Sequence, residues 1–306
     1  MKRKDMLGLD GVNREEITSI LDTALTMRQV VRSNNKKTSH LQGKSIVTLF
    51  YENSTRTRMS FELASKYMSA AAANISASAS SVAKGETLID TGVTLDQMGT
   101  DVIIIRHPMS GAPTLLAKHV RASVINAGDG MNEHPTQALL DMLTMREHLG
   151  GLEGAKVAIC GDVMHSRVAR SNIYGLTTMG ANVVLCAPPT LIPTRIEELG
   201  CTVAPTIEDA CEDADVVMGL RIQRERQQKG LFPSVAEYCD HWEITLERLA
   251  LAKKNALVMH PGPMNRGVEI ASSVADCEQS VITQQVESGV AVRMALLYML
   301  TRRENA

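Results

Sequence analysis

Aromatic side chains are scarce in this chain: three Phe, five Tyr and one Trp, 3% of 306 residues. Leu, Ile, Val, Ala and the 17 Met must therefore fill the interior. Few rings are available to stack on bases, and no long basic run compensates, since the formal net charge is −2 and the pI about 6.5. A nucleic-acid partner is excluded on these grounds. No stretch of 18 uncharged apolar residues exists, so no membrane span is expected. The opening MKRKDMLGLDG has no apolar run after its basic residues, which argues against a secretory signal and for a cytoplasmic protein. None of the six cysteines forms a Cys-x-x-Cys pair, so free thiols in a reducing compartment are expected, with no disulfide set and no metal site. Also missing are Gly-x-x-x-x-Gly-Lys-Ser/Thr, Gly-x-Ser-x-Gly and His-Glu-x-x-His. "ICGDVMHSRVARSN" holds only Gly161 of a dinucleotide-binding glycine set, so no organic cofactor is expected.

What remains is the composition of a globular protein, 44% hydrophobic and 22% charged, with mean hydropathy −0.05. At roughly 100–200 residues per domain, this length suggests two domains. Helical periodicity runs over 14–33, then a strand over 45–51, a helix from about 55 to 73 and a short strand over 74–78. "ASASSVAKGETLID" reads as a loop, 87–99 as a helix and 102–105 as a buried strand. "GAPTLLAKHV" is a short helix, "ASVINAGDG" a strand with its loop, and "HPTQALLDMLTMREHLGG" a helix closed by Gly150 and Gly151. The alternation then restarts with "AKVAICGD", a helix over 165–179, "NVVLCAPP", a helix in "TRIEELG", "CTVAP", "IEDACEDA", "DVVMGL" and "NALVMHPG". This predicts an α/β protein of two domains, each a mostly parallel sheet flanked by helices, divided as 1–150 and 151–284. An apolar helix over 281–301 follows.

In such sheets ligands sit where strands end and helices begin. The first such place is "YENSTRTRMSF", residues 51–61. Ser54, Thr55 and Thr57 start a helix, yet Arg56 and Arg58 stand in its first turn, where the backbone already carries about half a positive charge. A bound phosphate would explain them: it would accept from the helix N–H groups and the hydroxyls, and pair with Arg56. Both arginines need not touch it, since one could brace the loop through Glu52, Glu62 or Glu86; the other reading is a capped helix with two solvated arginines on its outside. Arg106 follows a buried strand, as a ligand-edge cation or as half of an ion pair. His134 precedes a helix that Pro135 starts and Gln137 enters. The imidazole can donate to a polarised carbonyl and the Gln can bind an amide; alternatively His134 caps local backbone. Arg167 is again a cation in a first turn. Arg221 and Gln223, two apart after a strand, share a side if the chain is extended, and Arg224 and Arg226 read as a solvated charged loop. In His260-Pro261-Gly262-Pro263 the prolines leave rigid carbonyls suited to a ligand N–H.

Taken together, Ser54-Thr55-Arg56-Thr57-Arg58, Arg106-His107-Pro108 and His134-Pro135-Thr136-Gln137 resemble the carbamoyl phosphate site of the transcarbamoylases. The motifs occur in the family's order and the resemblance covers nearly the whole chain. "GDVMHSRVARSN", "LRIQRER" and "HPGPMNRGVEI" resemble the aspartate branch, whereas an ornithine-type relative would carry His-Cys-Leu-Pro at 260–263. Gly262 departs from members with a larger apolar residue there, although only its carbonyl is needed. The resemblance implies carbamoyl transfer from carbamoyl phosphate to L-aspartate, in pyrimidine synthesis, without metal, organic cofactor or covalent intermediate. It implies that Ser54, Thr55, Arg56 and Thr57 hold the phosphate, and that Thr55, Arg106 and His134 polarise the carbonyl. Gln137 and the carbonyls of Pro261 and Gly262 would orient the carbamoyl NH2, and Arg167, Arg221 and Gln223 would hold aspartate. Ser80 and Lys84 would reach into a neighbouring subunit's site in a homotrimer. Domain closure around the ligands and a C-terminal helix, about 285–306, packed on the first domain are implied as well. A larger assembly with regulatory or dihydroorotase-like chains is compatible with the resemblance. Carbamoyl transfer to another amino acid and a non-catalytic anion-binding role are the competing readings.

Overall fold

Asn13 accepts from the Glu16 N–H at 2.8 Å and starts α1 (Arg14–Arg32), with Glu15 and Glu16 at the positive end of the helix. Its apolar stripe, Ile17, Ile20, Leu21, Ala24 and Met27, is buried. A computed structural model of the protein describes residues 3–76, 85–222 and 234–302. After α1 come β1 (Ser45–Phe50), α2 (Thr55–Tyr67), β2 (Ala71–Ser76), α3 (Leu88–Gln97), β3 (Val102–His107), α4 (Ala112–Ala117), β4 (Ser123–Asp129) and α5 (Pro135–Leu149). The second half runs β5 (Lys156–Gly161), α6 (Arg167–Thr178), β6 (Asn182–Cys186), β7 (Thr202–Val203), α7 (Ile207–Cys211), β8 (Val216–Leu220), α8 (Val235–Trp242), α9 (Leu246–Leu249), β9 (Leu257–Met259), α10 (Ser272–Ala275) and α11 (Ile282–Thr301).

The chain separates into two compact units, 1–140 with 287–306, and 141–286. In the first, four parallel strands lie in the order β2-β1-β3-β4. Val47, Leu49, Ile103, Ile105 and Val124 cluster with Leu95 of α3 and Leu116 of α4 on one face of this sheet. In the second, five parallel strands lie in the order β7-β6-β5-β8-β9. One face packs Ala158, Val217 and Val258 against Ile207, Leu249 and Val274 of the surrounding helices. Cys160, Cys186 and Cys211 lie in this same cluster as free thiols.

Each order reverses once. In the first sheet the chain leaves β1 for β2 and returns to β3 on the other side; in the second it leaves β5 for β6 and returns to β8. At a reversal the two neighbouring strand ends feed connections that diverge, so a crevice opens between them. The reversals are β1/β3 and β5/β8.

The alternating pattern is as the sequence suggests, but the alanine-rich segment is not. A helix to about residue 73 is expected, and α2 ends at Tyr67. Ser69 adopts φ +64°, and Ala71–Ser76 is a strand paired with β1 from Ser45↔Ala71 to Phe50↔Ser76. Alanine favours helix by a few tenths of a kcal/mol per residue, which a full parallel ladder outweighs. The segment 38–41 also seals the end of α2, with Thr38 N–H on the Tyr67 carbonyl at 2.7 Å and Leu41 N–H on Met68 at 2.9 Å. "TRIEELG" forms only a 3-10 turn over Ile196–Leu199 after Arg195 at φ +62°. The short α8, α9 and α10 had no clear periodicity to announce them. Among the described residues no helix is long and apolar enough to cross a membrane.

Asp96, at the end of α3, holds the turn between α4 and β4: its Oδ1 accepts from Arg121 N–H at 2.9 Å and Ala122 N–H at 2.8 Å, and its Oδ2 from Arg121 Nε at 3.1 Å. Burial works to raise its pKa, but these bonds win and hold it below the ordinary 3.8. A carboxyl depressed in the folded state stabilises above its unfolded pKa and loses that contribution as pH falls through its folded value. Asp96→Asn should therefore lower the thermal midpoint at pH 7 by roughly 2–6 °C. Midpoints measured from pH 7 to pH 2.5 should show that gap closing on acidification; a gap constant with pH would contradict this role for Asp96.

Candidate active site

At the β1/β3 reversal, β1 ends at Phe50, whose register partner on β3 is Arg106. Beyond it Glu52 Oε2 lies 3.3 Å from Arg106 Nε, and an Arg106 terminal N–H donates to the Ala127 carbonyl at 3.2 Å. The guanidinium is thus fixed at the strand edge by a carboxylate from the β1 end and a carbonyl from the β4 end. The chain then turns into α2, whose Ser54 N-cap forms no side-chain capping bond and whose first turn holds no acidic residue. That is unusual within this protein. The caps of α1, α3, α6, α7, α8 and α9 (Asn13, Thr87, Ser166, Thr206, Ser234 and Thr245) all accept from their own helix. The Ser54 hydroxyl is therefore not spent on capping its own helix start. Thr55 and Arg56 are exposed beside it, while Thr57 is buried. Arg58 turns back over the Phe50 ring, 5.4 Å from its centroid, and the nearby Glu62 is held below its usual pKa chiefly by Lys66, then by the Asn74 amide and least by Arg58.

His134 and Gln137 reach the same unit's β4 end through a loop that buried carboxylates define. Asp129 Oδ1 accepts from Asn126 Nδ2 at 2.7 Å and Glu133 N–H at 3.1 Å, and Oδ2 from Gly111 N–H at 2.7 Å. Glu133 Oε2 in turn takes the Leu9 N–H at 2.7 Å. Gly130, at φ +49°, sits so close to Ser110 that a Cβ would lie 2.7 Å from its backbone nitrogen. His134 is buried, with Thr136 Oγ1 3.5 Å from its Nδ1. Its carbonyl also accepts the first helical bonds of α5, from Gln137 at 2.9 Å and Ala138 at 3.3 Å. The His134 backbone thus serves the helix start. His107 is separate from this group: its Nδ1 accepts from Met109 N–H at 3.0 Å, and burial holds its pKa below the usual value.

In the other unit the β5/β8 reversal is pinched. Gly161 ends β5 at φ +130°, and a Cβ there would lie 2.5 Å from the Leu220 carbonyl oxygen. From this pinch the chain on one side reaches Arg167, the first residue of α6, and on the other Arg221. Asp162 Oδ1 ties the approach to α6, accepting from His165 N–H at 3.1 Å and His165 Nδ1–H at 2.8 Å. Ser166 then caps the helix through Ala169 N–H. Arg167 is buried and Arg221 half-buried. Beyond the next strand, Gly262 N–H donates to His260 Nδ1 at 2.8 Å, which puts the ring proton on Nε2, facing Glu269 Oε1 at 3.2 Å. Glu269 also accepts from Asn265 N–H at 2.6 Å and Asn265 Nδ2 at 3.1 Å, and Asn265 Nδ2 reaches the Ile222 carbonyl at 3.3 Å. One buried carboxylate thus fixes the 260–265 loop to the segment that carries Arg221. Among the described residues no hydrogen bond ends on the Pro261 or Gly262 carbonyl, so both keep acceptor capacity.

Each unit therefore gathers its own share of the sequence-predicted residues at its own reversal: Ser54, Thr55, Arg56, Thr57, Arg106, His134 and Gln137 in one, Arg167, Arg221, Pro261 and Gly262 in the other. Ser80, Lys84 and Gln223 lie outside the described residues. Asp129, Glu133, Asp162 and Glu269 carry no role in the motifs they lie in or beside, and they accept from backbone N–H groups, amides and imidazoles, while Glu52, a candidate brace, pairs with Arg106. Among the described residues no cluster of His, Cys, Asp and Glu has metal-holding geometry. A groove of about 410 Å³ elsewhere in the second unit is lined by Glu208, Asp240, Glu243 and Glu247, and its Arg248 is spent on Glu208 at 2.7 Å and two backbone carbonyls. It is acidic where an anion site must be basic.

Residues 4–147 match the family described as aspartate/ornithine carbamoyltransferase, carbamoyl-P binding domain, and residues 153–300 match aspartate/ornithine carbamoyltransferase, Asp/Orn binding domain. The chain is 69% identical over 303 residues to the aspartate carbamoyltransferase catalytic subunit of Ruminiclostridium cellulolyticum, covering 99% of this chain and 97% of that one. It is similar to the crystal structure of Trypanosoma cruzi aspartate transcarbamoylase in complex with carbamoyl aspartate and phosphate, at TM-score 0.88 and 30% identity over 97% of this chain and 95% of that one. It is also similar to the ornithine carbamoyltransferase of Pyrococcus furiosus, at TM-score 0.85 and 30% identity over 96% and 95%. Fold likeness alone thus does not choose between acceptors.

Glu269→Ala should leave the His260 Nε2–H, the Asn265 N–H and the Asn265 amide without their acceptor. A loss of about 2–4 kcal/mol in urea unfolding is expected, with an unchanged slope. A loss below about 0.5 kcal/mol would mean that this carboxylate does not hold the loop.

Proposed function

The chain belongs to the aspartate/ornithine carbamoyltransferase family, and from that premise we propose that it is an aspartate carbamoyltransferase, converting carbamoyl phosphate and L-aspartate to N-carbamoyl-L-aspartate and phosphate. The observation that carries the choice of acceptor is the second unit's reversal, where two guanidinium-bearing residues, Arg167 and Arg221, flank one pinch. Two fixed cations match a dicarboxylate and oppose the side-chain ammonium of ornithine. The 69% identity to an aspartate carbamoyltransferase catalytic subunit supports the same choice.

In this reading the phosphate of carbamoyl phosphate sits at the start of α2, on the 54–57 N–H groups, the hydroxyls of Ser54, Thr55 and Thr57, and Arg56. Thr55, Arg106 and His134 point donors at the carbamoyl oxygen. Gln137 and the carbonyls of Pro261 and Gly262 take the carbamoyl NH2. Arg167, Arg221 and Gln223 hold the two carboxylates of aspartate. The neutral amine attacks the carbonyl carbon, and its electron pair forms the new C–N bond while charge collects on the oxygen. Collapse of the tetrahedral adduct breaks the bond to the phosphate oxygen, and the departing phosphate takes the ammonium proton. The protein supplies position and fixed charge, the larger part of most such rate enhancements. Lys84 and Ser80 complete a neighbouring subunit's site in a homotrimer, which also gives Lys84 a place on the phosphate and on aspartate. A cytoplasmic role in pyrimidine synthesis follows from the reaction.

Incubation with carbamoyl phosphate and aspartate should release carbamoyl-aspartate, while ornithine should give no citrulline; citrulline alone would overturn the choice of acceptor. Arg56→Ala and Arg106→Ala should each cut turnover by about 10²–10³-fold with little change in unfolding midpoint. Turnover near the wild-type value in either variant would remove its assigned role. Inactive Arg56→Ala chains mixed with inactive Lys84→Ala chains should regain part of the activity if subunits share sites. Failure of proven mixed trimers to do so would remove the shared site.

A further inference from the structure

Asp141 lies on α5, in the part of that helix that belongs to the second unit, and its carboxylate is fully buried. Its two oxygens face two different elements. Oδ2 accepts from Asn172 Nδ2 of α6 at 2.9 Å, and Oδ1 accepts from Gln285 Nε2 of α11 at 2.8 Å. With its NH2 so engaged, the Gln285 amide cannot flip, and its Oε1 faces the other way to accept from the His260 backbone N–H at 2.9 Å. Gln285 is itself buried. A single chain of hydrogen bonds therefore runs from α6, through one buried carboxylate and one oriented amide, to the first residue after β9.

Both ends of that chain lead to the acceptor side of the second unit. Asn172 stands five residues after Arg167 on α6, about 7.5 Å along the same rigid helix. His260 is the residue from which Pro261 and Gly262 depart, and its ring is already tied to Gly262 N–H and Glu269. We propose that Asp141 and Gln285 are positioning residues: their bond holds the Arg167 helix, which meets aspartate, and the Pro261–Gly262 carbonyls, which meet the carbamoyl NH2, at a fixed separation. Neither side chain touches substrate. The proposal rests on the carbamoyl-transfer reading for its kinetic test, but the bond pattern itself can be tested without it.

The pattern has a direction, because a carboxylate only accepts while an amide donates on one side and accepts on the other. Reversing it provides the test. In Asp141→Asn the new amide turns its NH2 either toward Gln285 Nε2, donor against donor, or toward Asn172, whose amide must then flip and give up its bond to the Val168 carbonyl. In Gln285→Glu, at pH 8, two buried carboxylates face each other. In the double variant every bond returns, with one reversed. The amide introduced at position 141 donates to the carboxylate introduced at position 285, and its oxygen accepts from Asn172 Nδ2. The second oxygen of the new carboxylate accepts from the His260 N–H.

At pH 8 each single variant should raise KM for aspartate at least fivefold and KM for carbamoyl phosphate by less, about two- to threefold, since the Pro261 and Gly262 carbonyls meet only its NH2. The double variant should bring KM for aspartate back to within threefold of wild type. Thermal midpoints should show the same pattern, with both single variants lowered and the double restored above either. Equal rises in both KM values would mean general loosening and overturn the positioning role. A double variant no better than the worse single variant, in KM or in midpoint, would overturn the coupling. If the wild-type enzyme fails to use aspartate, the carbamoyl-transfer reading falls by itself, and the midpoints still decide whether the Asp141–Gln285 bond exists as described.

Discussion

A parallel sheet whose strand order reverses leaves two neighbouring strand ends without a shared crossover, and in this protein both reversals are furnished with guanidinium groups. The rest of the site depends on that constraint. An arginine beside a strand end is close to backbone N–H groups and helix starts, all of them positive in effect. It needs a carboxylate, a carbonyl or an anionic ligand to stay there. Arg106 has Glu52 and the Ala127 carbonyl, and Arg58 has the face of Phe50. These contacts hold the cations in place without neutralising the uncapped start of α2.

The supports are mostly buried carboxylates. Asp129, Glu133, Asp162 and Glu269 each sit at a turn, a helix start or a strand end, Asp96 at a helix end and Asp141 within α5, and each accepts from several donors. Loops at strand ends are rich in N–H groups that no ladder satisfies. A carboxylate has about four lone-pair sites and no proton to misplace, so one side chain can close such a loop. The arrangement also dictates tautomers: Gly262 N–H on His260 Nδ1 leaves only Nε2–H to meet Glu269. Carbonyls at 261 and 262 then project from a loop that has few ways to rearrange.

Much of the fold, and the gathering of arginines at strand ends and helix starts, was legible in the sequence, because both depend on local signals. Short apolar runs followed by helix starters gave the strands, and arginines set against a helix dipole drew attention to 54–58 and 167. The alanine-rich stretch after α2 misled for a physical reason. Its propensity is helical, while its conformation is decided by β1, whose register with it begins 26 residues away at Ser45. Two of the buried carboxylates, Glu133 and Asp141, were invisible for a similar reason. Glu133 accepts from Leu9, 124 residues earlier, and Asp141 from Gln285, 144 residues later. Their partners are backbone or amide groups that carry no motif, so nothing in a short window distinguishes them from solvated acids.

The two reversals also differ in a way that bears on division of labour. At the start of α6 the Ser166 hydroxyl is spent on Ala169 N–H, and the helix is capped internally. At the start of α2 the Ser54 hydroxyl is not so spent, and neighbouring Thr55 and Thr57 add further hydroxyls. A tetrahedral dianion presents oxygens in several directions and rewards a cradle of many short donors at a helix start. A carboxylate is planar, with two oxygens suited to the fork of a guanidinium, and gains less from such a cradle than from an arginine held at a fixed angle. The capped helix with its buried Arg167 fits the second need, and the uncapped helix with its hydroxyls fits the first. In the proposed reading, donor and acceptor substrates are told apart by how each helix satisfies its own first turn, since the arginines alone are common to both.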